Sequence, residues 1–441
     1  MKVLLVQSPI EDFYTTAIRL YPLGLLYVAA VLENAGCTVE ILDCLSPLRK
    51  RRIPVPGDFA YLEPFMSDPF FFKGYYRFGR DMDGIVRRIK DCEPDIIGIS
   101  SQFTAYYQSV EELIRLIKQN FRSPVFIGGN QATAFPEEIR KRTPEIDDVL
   151  VGPAEDCLPE YLKRRGYSGA EEKPDWTQLR PGHHLLDPAD YKIAKRNYIS
   201  LIASRGCPFH CDFCSVHSMF GRSIRYRTVE SVLEEMRRNY LRKNARIFNF
   251  EDDNLSYDRE WFLEFLRAVK DDSFLRDIEL TAMNGLCSTT LDESMLPSMV
   301  QAGFKRLNLS FVTHSQDLKS AYHRPLEGRG FESFVRAAQK MGLFVTVYVI
   351  IGLPGQTFAE ARNSIDHLCG LGVLVGPSVF YTPPASPLYE RLSLAPAVKN
   401  NWNLYRSSAF AVETDQFSRR KLVDLFIYAR RKNLENKNKI G

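Results

Sequence analysis

Three cysteines within one short segment form the most distinctive chemical pattern in the chain. The segment Ser204–Ser215 reads SRGCPFHCDFCS, and it places Cys207, Cys211 and Cys214 at C-x3-C-x2-C spacing directly after a predicted strand. Three thiolates that lie close together repel one another unless a cation holds them. Iron–sulfur clusters are held by cysteine thiolates, normally four, so three ligands would leave one iron of a cubane open to a substrate or a cofactor.

A zinc site is the alternative for these thiols. It needs a fourth ligand, which His210 or His217 can offer, but structural zinc sites usually pair their ligands across two separated knuckles. The other cysteines are scattered, and we interpret them as small buried apolar residues; they are Cys37, Cys44, Cys92, Cys157, Cys287 and Cys369. The start of the chain predicts a first strand of a cytoplasmic protein rather than an export signal, so disulfides are not expected.

Length and composition place the chain among ordinary globular proteins. Its 441 residues suggest two or three domains. Hydrophobic residues make up 45% and charged residues 25%, which excludes collagen-like, disordered and coiled-coil classes. The net charge of +4 gives no ground for a nucleic-acid or anionic-membrane partner. No stretch approaches the roughly 20 apolar residues that span a bilayer.

The first 165 residues alternate strand and helix patterns, which predicts a parallel, doubly wound α/β domain. Ligands bind beyond the strand C-termini of such sheets. The five predicted strands are Val3–Val6, Val39–Leu42, Ile96–Ile99, Val125–Ile127 and Val149–Val151, and the candidate loops are Ser8–Pro9, Ser100–Gln102, Gly128–Asn130 and Gly152–Glu155. Residues 45–82 interrupt the rhythm with many aromatics. We interpret them as a lid packed on the domain edge or, alternatively, as a cover over a flat cofactor or substrate.

A second βα series follows a polar segment, 166–197, that reads as a linker. Six βα units over 198–391 are fewer than the eight of a closed TIM barrel, so a partial (βα)6 barrel is expected, with reactive groups at the strand C-termini. Its predicted strands are Tyr198–Ala203, Ile247–Phe250, Ile278–Ala282, Arg306–Phe311, Phe344–Ile351 and Val373–Phe380. Residues 392–441 predict a helical extension, Arg420–Arg431, with a frayed polar end, Asn433–Gly441.

The cysteine motif after the first barrel strand, with Phe213 at its aromatic position, resembles the radical S-adenosylmethionine (SAM) superfamily. The resemblance covers about residues 198–390. It implies a [4Fe–4S] cluster on Cys207, Cys211 and Cys214, whose open iron chelates the amino and carboxylate groups of SAM. An electron from the cluster would cleave SAM to methionine and a 5′-deoxyadenosyl radical. The chemistry belongs to the cofactors, and the protein positions them.

Other segments resemble the same superfamily. Phe248–Asn254 reads FNFEDDN, which implies that Glu251, Asp252 or Asp253 meets the SAM ammonium; a solvated helix cap is the alternative. Val349–Thr357 reads VIIGLPGQT, which implies that the backbone at Gly352 and Gly355 runs along the adenine. Glycine suits close approach, and a plain left-handed turn is the alternative.

Three further segments bear on SAM. Tyr381–Tyr389 resembles the superfamily's segment after strand six, and Arg222 and Arg225 stand where relatives carry basic residues that could anchor the SAM carboxylate. Ser310–Ser315 departs from the pattern because Val312 replaces a common carboxylate. His314 is a possible substitute for it, and a surface or core histidine is as plausible.

A doubly wound domain before such a barrel resembles the cobalamin-binding subclass of the superfamily. The matching segments are Pro22–Leu25, Pro94–Ser100 and Gly128–Glu138. The resemblance implies that Gly128 and Gly129 let the backbone approach the nucleotide tail of cobalamin and that Ser100 hydrogen-bonds the tail; Gln131 stands at a position where relatives usually have histidine. Residues 1–182 contain no histidine, so this domain cannot supply an imidazole to the cobalt.

The resemblance implies a cobalamin-dependent radical SAM methyltransferase that methylates an unactivated carbon of a small molecule. The implied electron donor is a flavodoxin or a ferredoxin. The alternative is dehydration, rearrangement or cyclisation on the same scaffold, with the cobalamin lost from the domain. A non-catalytic metal-binding interaction protein is a third hypothesis.

Overall fold

The computed structural model describes residues 1–16, 21–167, 169, 173–327 and 330–440. The first region forms a three-layer α/β domain with a small added sheet. Its strands are β1 (Lys2–Gln7), β2 (Ile10–Asp12), β3 (Thr38–Asp43), β4 (Lys50–Ile53), β5 (Tyr75–Phe78), β6 (Ile96–Ser100), β7 (Val125–Gly128) and β8 (Asp148–Val149). Its helices are α1 (Leu23–Asn34), α2 (Met82–Cys92), α3 (Tyr107–Asn120), α4 (Asn130–Ala134), α5 (Pro136–Arg142) and α6 (Ala154–Arg164).

The main sheet of this domain is parallel throughout, in the order β3-β1-β6-β7-β8. Apolar residues of α1 and α6 pack on one face, and those of α2, α3 and α5 pack on the other. Strands that are covered on both faces need continuous apolar runs, which is the pattern that predicted them. The doubly wound fold is therefore confirmed.

Residues 45–82 are packed against the rest of the protein. They contribute β4 and β5 to an antiparallel sheet of order β2-β5-β4, and Lys50, Arg51 and Arg52 of β4 are exposed. The buried rings of Phe71 and Phe72 contact aromatic residues near the C-terminus. None of these residues lines the cavity between the two large domains. The structure therefore favours a lid packed on the domain edge over a cover for a flat ligand.

The second region holds the barrel and the elements around it. Its strands are β9 (Lys192–Ile193), β10 (Arg196–Leu201), β11 (Ser204–Arg205), β12 (Arg225–Tyr226), β13 (Ala245–Phe250), β14 (Glu279–Thr281), β15 (Leu286–Cys287), β16 (Arg306–Val312), β17 (Phe344–Ile351) and β18 (Leu374–Val379). Its helices are α7 (Val216–Phe220), α8 (Val229–Lys243), α9 (Arg259–Asp271), α10 (Leu296–Gln301), α11 (Gln316–Ala321), α12 (Phe331–Lys340), α13 (Phe358–Gly370) and α14 (Pro387–Arg391).

All six predicted barrel strands are present, but the third is divided. β10, β13 and β14 pair in parallel, and β15, β16, β17 and β18 form a second parallel set. The break between β14 and β15 ends at Gly285, whose φ of +97° lies in the left-handed region that favours glycine. Ile199 and Phe248 pack outward against the helices, so Tyr198 and Asn249, one residue away on each strand, face the barrel interior.

The described part of the predicted linker from 173 to 197 packs against neighbouring elements. Trp176 and Tyr191 are buried, and β9 pairs antiparallel with β10 at the first edge of the barrel. The described ranges contain no helix long and apolar enough to cross a membrane. The domain boundaries at 165, 197 and 391 stay a prediction.

The C-terminal region holds α15 (Pro396–Lys399) and α16 (Arg419–Ile440). The prediction of a frayed end from Asn433 is wrong, because the helix continues to Ile440; Gly441 lies outside the described residues. The side chain of Asn433 accepts from Val375 N at 2.9 Å and donates to Val375 O at 2.7 Å. It therefore covers backbone groups of β18, which would otherwise be an open sheet edge.

Candidate active site

The cysteine loop follows β11 and leads into α7. Cys211 is buried, Cys207 and Cys214 are half-buried, and electrostatic interactions link the three thiols. Gly206 has a φ of +89°, and a Cβ there would lie 2.1 Å from the carbonyl oxygen of Ser223. The loop can therefore take this path only with glycine immediately before its first cysteine.

The donor set fits a cluster better than a single metal ion. Burial raises the pKa of all three thiols, that of Cys214 to about 12, so cluster assembly must displace their protons. Within the described ranges, no three His, Cys, Asp or Glu side chains converge on one ion. A cubane is larger than an ion and holds its thiolates farther apart. Of the two histidines considered for zinc, His217 hydrogen-bonds through Nε2 to Cys207 O at 3.1 Å, and His210 is exposed.

Asp252 fixes the start of the cysteine loop. Its carboxylate accepts from Ser204 N at 2.5 Å, from Ser204 Oγ at 2.7 Å and from Ala203 N at 3.1 Å. Burial raises the pKa of Asp252 to about 7, although these hydrogen bonds oppose the rise. Asp252 is buried against this backbone and does not line the cavity, so of the three acidic candidates it is the one that supports the loop; which of them meets the SAM ammonium stays a prediction.

The other two acidic candidates line the cavity between the domains. Glu251 Oε1 accepts from Asn249 Nδ2 at 2.5 Å, and Glu251 Oε2 accepts from Asn284 Nδ2 at 2.7 Å. Asp253 Oδ2 accepts from Gly206 N at 2.9 Å, beside the first cysteine. The strand end thus presents two carboxylates to the cavity and uses the third inside the protein.

The glycine turn after β17 is shaped by packing. Gly352 has a φ of +84°, and a Cβ there would lie 2.4 Å from Leu422 of α16. Gln356 Oε1 accepts from Gly352 N at 2.8 Å and closes the turn. Gly355, at φ +79°, has more room, with Leu318 3.9 Å from an added Cβ. Both glycines adopt the left-handed conformation, and Gly355 has more room beside it than Gly352; the approach of either to the adenine stays a prediction.

Phe213 connects the cysteine loop to this turn. Its ring centroid lies 5.9 Å from that of Tyr322, and both belong to an apolar cluster with Leu353 of the turn. The aromatic position of the motif therefore packs the loop against the end of β17.

The segment after β16 differs from the expected ligand geometry. Val312 is buried at a β-bulge with φ +75°, an outlier for a β-branched residue. His314 is exposed, and its ring lies 4.2 Å from that of His367 between centroids. His314 does not line the interdomain cavity, which favours the alternative of a surface histidine.

A cavity of about 320 Å³ lies between the sheet and the barrel. On the sheet side, the C-terminal half of β1, the loops after β6, β7 and β8 and the start of α1 line it; Ser100, Gly128 and Gly129 belong to this lining. A Cβ added at Gly24 or Gly152, which also line it, would meet nothing within 4 Å. Three of the four loops predicted to bind a ligand therefore converge on this cavity, with open space above Gly24 and Gly152.

Gln131 lies beneath this edge of the sheet rather than on the cavity wall. It is 1% exposed, and neither its Oε1 nor its Nε2 has a hydrogen-bond partner among the described residues. The hydroxyl of Ser101 is likewise unpaired within them. Buried polar groups without partners are costly, so these atoms fit a site that is completed by a polar ligand such as the tail of cobalamin.

Two arginines that no motif marks in the sequence support the cysteine loop: Arg205 and Arg324. Arg205 bonds Glu155 at 2.6 Å and lies 4.5 Å from the ring centroid of Tyr27, so it joins the cysteine loop to the sheet domain. Arg324 Nη2 donates to Ser310 O at 2.7 Å and also contacts the Cys211 thiol. Neither arginine has a local spacing signal that could have shown its position.

The two arginines that were predicted as SAM anchors lie in outer grooves. Arg225 pairs with Asp175 at 3.1 Å in a groove of about 380 Å³, and Arg222 lines a different groove on the outer side of the cysteine loop. Neither arginine lines the interdomain cavity, which Glu251 does line. Their role as anchors of the SAM carboxylate stays a prediction.

The comparison with family models separates the chain into the same two parts. The Radical SAM superfamily matches residues 201–368, and the B12 binding domain matches residues 69–162. The chain is a radical SAM enzyme of the B12-binding subclass. The cysteine loop lies inside the first match, and three of the cavity-lining loops of the sheet lie inside the second.

Relatives of this radical SAM enzyme include named methyltransferases. The cytidylyl-2-hydroxyethylphosphonate methyltransferase of Streptomyces wedmorensis is 26% identical over 407 residues, which are 79% of this chain and 73% of that protein. The bacteriochlorophyllide d C-12(1)-methyltransferase of Chlorobaculum tepidum is 24% identical over 326 residues, 70% of this chain and 68% of that protein.

Solved structures share the fold of the radical SAM enzyme. TsrM from Kitasatospora setae, a radical SAM methyltransferase solved with cobalamin and a [4Fe–4S] cluster, aligns with a TM-score of 0.65 at 17% identity and covers 90% of this chain and 79% of TsrM. OxsB, solved with aqua-cobalamin and SAM, aligns with a TM-score of 0.61 at 15% identity and covers 92% of this chain and 56% of OxsB.

Proposed function

We propose that this radical SAM enzyme transfers a methyl group from cobalamin to an unactivated carbon of a small molecule. The observation that carries the proposal is the single cavity in which the predicted cobalamin loops of the sheet face Glu251 and Asp253 beside the cysteine loop. The named methyltransferases among its relatives favour methyl transfer over dehydration, rearrangement or cyclisation.

The residues divide among three groups to be held. Cys207, Cys211 and Cys214 would hold the cluster, and Glu251 and Asp253 offer the carboxylates that an ammonium needs. Gly128, Gly129 and Ser100 would hold the tail of cobalamin from the cavity wall, and Gln131, beneath the sheet edge, offers the tail an amide without a partner among the described residues. When they are bound, the cluster supplies the electron that cleaves SAM and cobalamin supplies the methyl group.

The protein's own part is positioning and exclusion of water. Asp252 fixes the cysteine loop, Arg205 joins it to the sheet domain, and Glu251 is oriented by Asn249 and Asn284. The cavity wall is largely apolar and glycine-rich near the sheet, which suits a flat ligand. A flavodoxin or a ferredoxin is the proposed electron donor.

The function is tested with protein that is reconstituted anaerobically with iron and sulfide. We expect about 4 iron atoms per chain. With SAM that carries a deuterated methyl group and a small-molecule extract of the native host, we expect a compound labelled with that methyl group, together with 5′-deoxyadenosine and S-adenosylhomocysteine.

The matched control separates the cluster cysteines from an unrelated one. Replacement of Cys207, Cys211 and Cys214 by Ala should remove the iron and both SAM products, whereas Cys369→Ala, in α13, should retain them. Formation of 5′-deoxyadenosine without any methylated compound would contradict methyl transfer.

Cobalamin binding is tested at Gly24, where a larger side chain would project into open space. Gly24→Leu should abolish the spectral shift of added hydroxocobalamin because the side chain fills the cavity. Stability should stay the same or rise by up to about 1 kcal/mol, since glycine is unfavourable in a helix.

Gly370→Leu is the control for this experiment. Gly370 also lies in a helix, and its added Cβ also meets nothing within 4 Å, but it does not line the cavity. This variant should bind hydroxocobalamin like the wild type. Equal binding by the Gly24 and Gly370 variants would place cobalamin elsewhere or show that the domain does not bind it.

A further inference from the structure

A chain of hydrogen bonds leads from the interdomain cavity into the protein. The Tyr21 hydroxyl lies 2.6 Å from His183 Nδ1, and His183 Nε2 lies 2.8 Å from Glu235 Oε1. Tyr21 is half-buried and lines the cavity, whereas His183 is 5% and Glu235 1% exposed. Three segments that are distant in sequence supply these groups: the residues before α1, the segment before β9, and α8.

The direction of each hydrogen bond follows from the charge on Glu235. Arg227 Nη1 donates to Glu235 Oε2 at 2.5 Å. Burial opposes ionisation, but Arg227 and His183 lower the pKa of Glu235 to about 2. Because an ionised carboxylate only accepts, His183 Nε2 carries a proton towards it. A neutral His183 therefore has its lone pair on Nδ1, where it accepts from the Tyr21 hydroxyl.

These roles are those of a carboxylate, a histidine and a hydroxyl in a hydrolase triad, in which the carboxylate orients the imidazole and the imidazole takes the hydroxyl proton. The hydroxyl here is a phenol rather than a serine. A phenol is a much weaker nucleophile than an activated serine, but it can pass a proton onward.

Tyr21 lies beside the first strand of the barrel. Its ring centroid lies 5.6 Å from that of Tyr198, which faces the barrel interior. Two residues along the same strand, Ser200 Oγ donates to Glu251 at 3.3 Å. Tyr21 and Glu251 line one cavity, so the relay adjoins the space beside the predicted SAM site.

The geometry points to a proton relay from Tyr21 through His183 that acts on a weakly acidic O–H or N–H group beside the reacting carbon of the substrate. This inference rests on the proposed methyl transfer and adds the substrate class. The substrate heteroatom gives its proton to Tyr21 Oη, while the phenolic proton passes to His183 Nδ1.

The step balances within the relay. The substrate loses one proton and gains a negative charge, and His183 gains that proton and a positive charge; the carboxylate of Glu235, already paired with Arg227, orients the imidazolium through Nε2. No electron moves in the step, and the proton leaves by the reverse path. Loss of that proton concentrates negative charge on the heteroatom, which weakens an adjacent C–H bond or makes an adjacent unsaturated carbon more nucleophilic.

The relay is tested on the compound that wild-type protein labels with the deuterated methyl group. Tyr21→Phe keeps the ring and removes the hydroxyl. His183→Gln keeps an acceptor towards Tyr21 and a donor towards Glu235 but cannot take up a proton. General acid–base catalysis typically contributes about 10²- to 10⁴-fold, so kcat should fall at least about 100-fold in both variants.

Tyr191→Phe is the matched control. The ring centroid of Tyr191 lies 4.9 Å from that of Tyr21. The Tyr191 hydroxyl donates to Asp43 Oδ2 at 2.6 Å and takes no part in the relay. This variant should keep kcat within about 3-fold of wild type. Iron content, hydroxocobalamin binding and melting temperature should stay close to wild type in the Tyr21 and His183 variants.

A solvent isotope effect separates the relay from a purely structural network. Methylation by wild-type protein should be slower in D₂O than in H₂O, and the effect should be lost in Tyr21→Phe. Wild-type kcat in Tyr21→Phe or His183→Gln would overturn the relay while methyl transfer stands. If wild-type protein labels no compound, the proposed function fails and the relay falls with it.

Discussion

Asp252→Ala is expected to abolish retention of the cluster, although Asp252 is not one of its ligands. The carboxylate accepts three hydrogen bonds from Ala203 and Ser204, which lie just before Gly206 and Cys207. Removal leaves buried N–H and O–H groups without partners, at about 1–3 kcal/mol for each. We expect a loss of more than about 3 kcal/mol in the free energy of unfolding and less than one tenth of the wild-type iron content.

Asp252→Asn separates charge from hydrogen bonding, because asparagine keeps one acceptor oxygen and turns an amide group towards donor atoms. Its iron content should be intermediate. Asp258→Asn, at the N-cap of α9, is the control and should keep its iron. A wild-type iron content in Asp252→Ala would contradict the assignment.

The pKa of Asp252 adds a pH test. Since the folded value is raised to about 7 from 3.8, the protonated form is favoured by folding. The resulting stabilisation is complete below pH 3.8 and is lost as the pH rises through about 7. The asparagine variant should lack this part of the pH dependence of stability.

The two domains could be predicted from sequence because strands buried on both faces carry uninterrupted apolar runs. Val3–Val6 and Ile96–Ile99 are such runs, and both lie in the parallel sheet. The division of the third barrel strand could not be predicted in this way. It depends on the path that the chain takes through Gly285 to meet β16, and nothing within the apolar run signals that break.

The cysteines could be found from spacing alone, because all three lie on one loop. Glu251, Asp252 and Asp253 could not be sorted, since three adjacent acids at a strand end look alike in the sequence. The role of Asp252 depends on Ala203 and Ser204, which are almost fifty residues away in sequence and hydrogen-bonded to it in the fold. Gly352 is a similar case, because the side chain of Leu422 in the C-terminal helix occupies the place that a Cβ at residue 352 would take.

The relay has no sequence signal at all. Tyr21 and His183 are 162 residues apart, and His183 and Glu235 are 52 residues apart. The segment that holds His183 has the polar composition of a linker, and nothing in it marks the histidine. The packing of this segment along the first edge of the barrel brings His183 between α1 and α8.

Arg227→Met is expected to destabilise the protein by about 3–5 kcal/mol, because it leaves Glu235 as a buried charge without its cation. Arg227 and Glu235 are 3% and 1% exposed, and Arg227 also donates to Ile202 O at 3.1 Å. The loss should be measured by urea unfolding of the metal-free protein. Arg259→Met is the control; its pair with Asp292 is exposed, and the change should cost less than about 1 kcal/mol.

A double variant distinguishes a paired charge from simple loss of packing. Arg227→Met combined with Glu235→Leu removes both charges, so it should be more stable than Arg227→Met alone; equal or lower stability would show that packing dominates. The pKa of Glu235 is lowered to about 2 from 4.5, so its contribution is complete above pH 4.5 and is lost as the pH falls towards 2. The difference between wild type and Arg227→Met should therefore shrink over that window, because protonated Glu235 no longer needs the arginine.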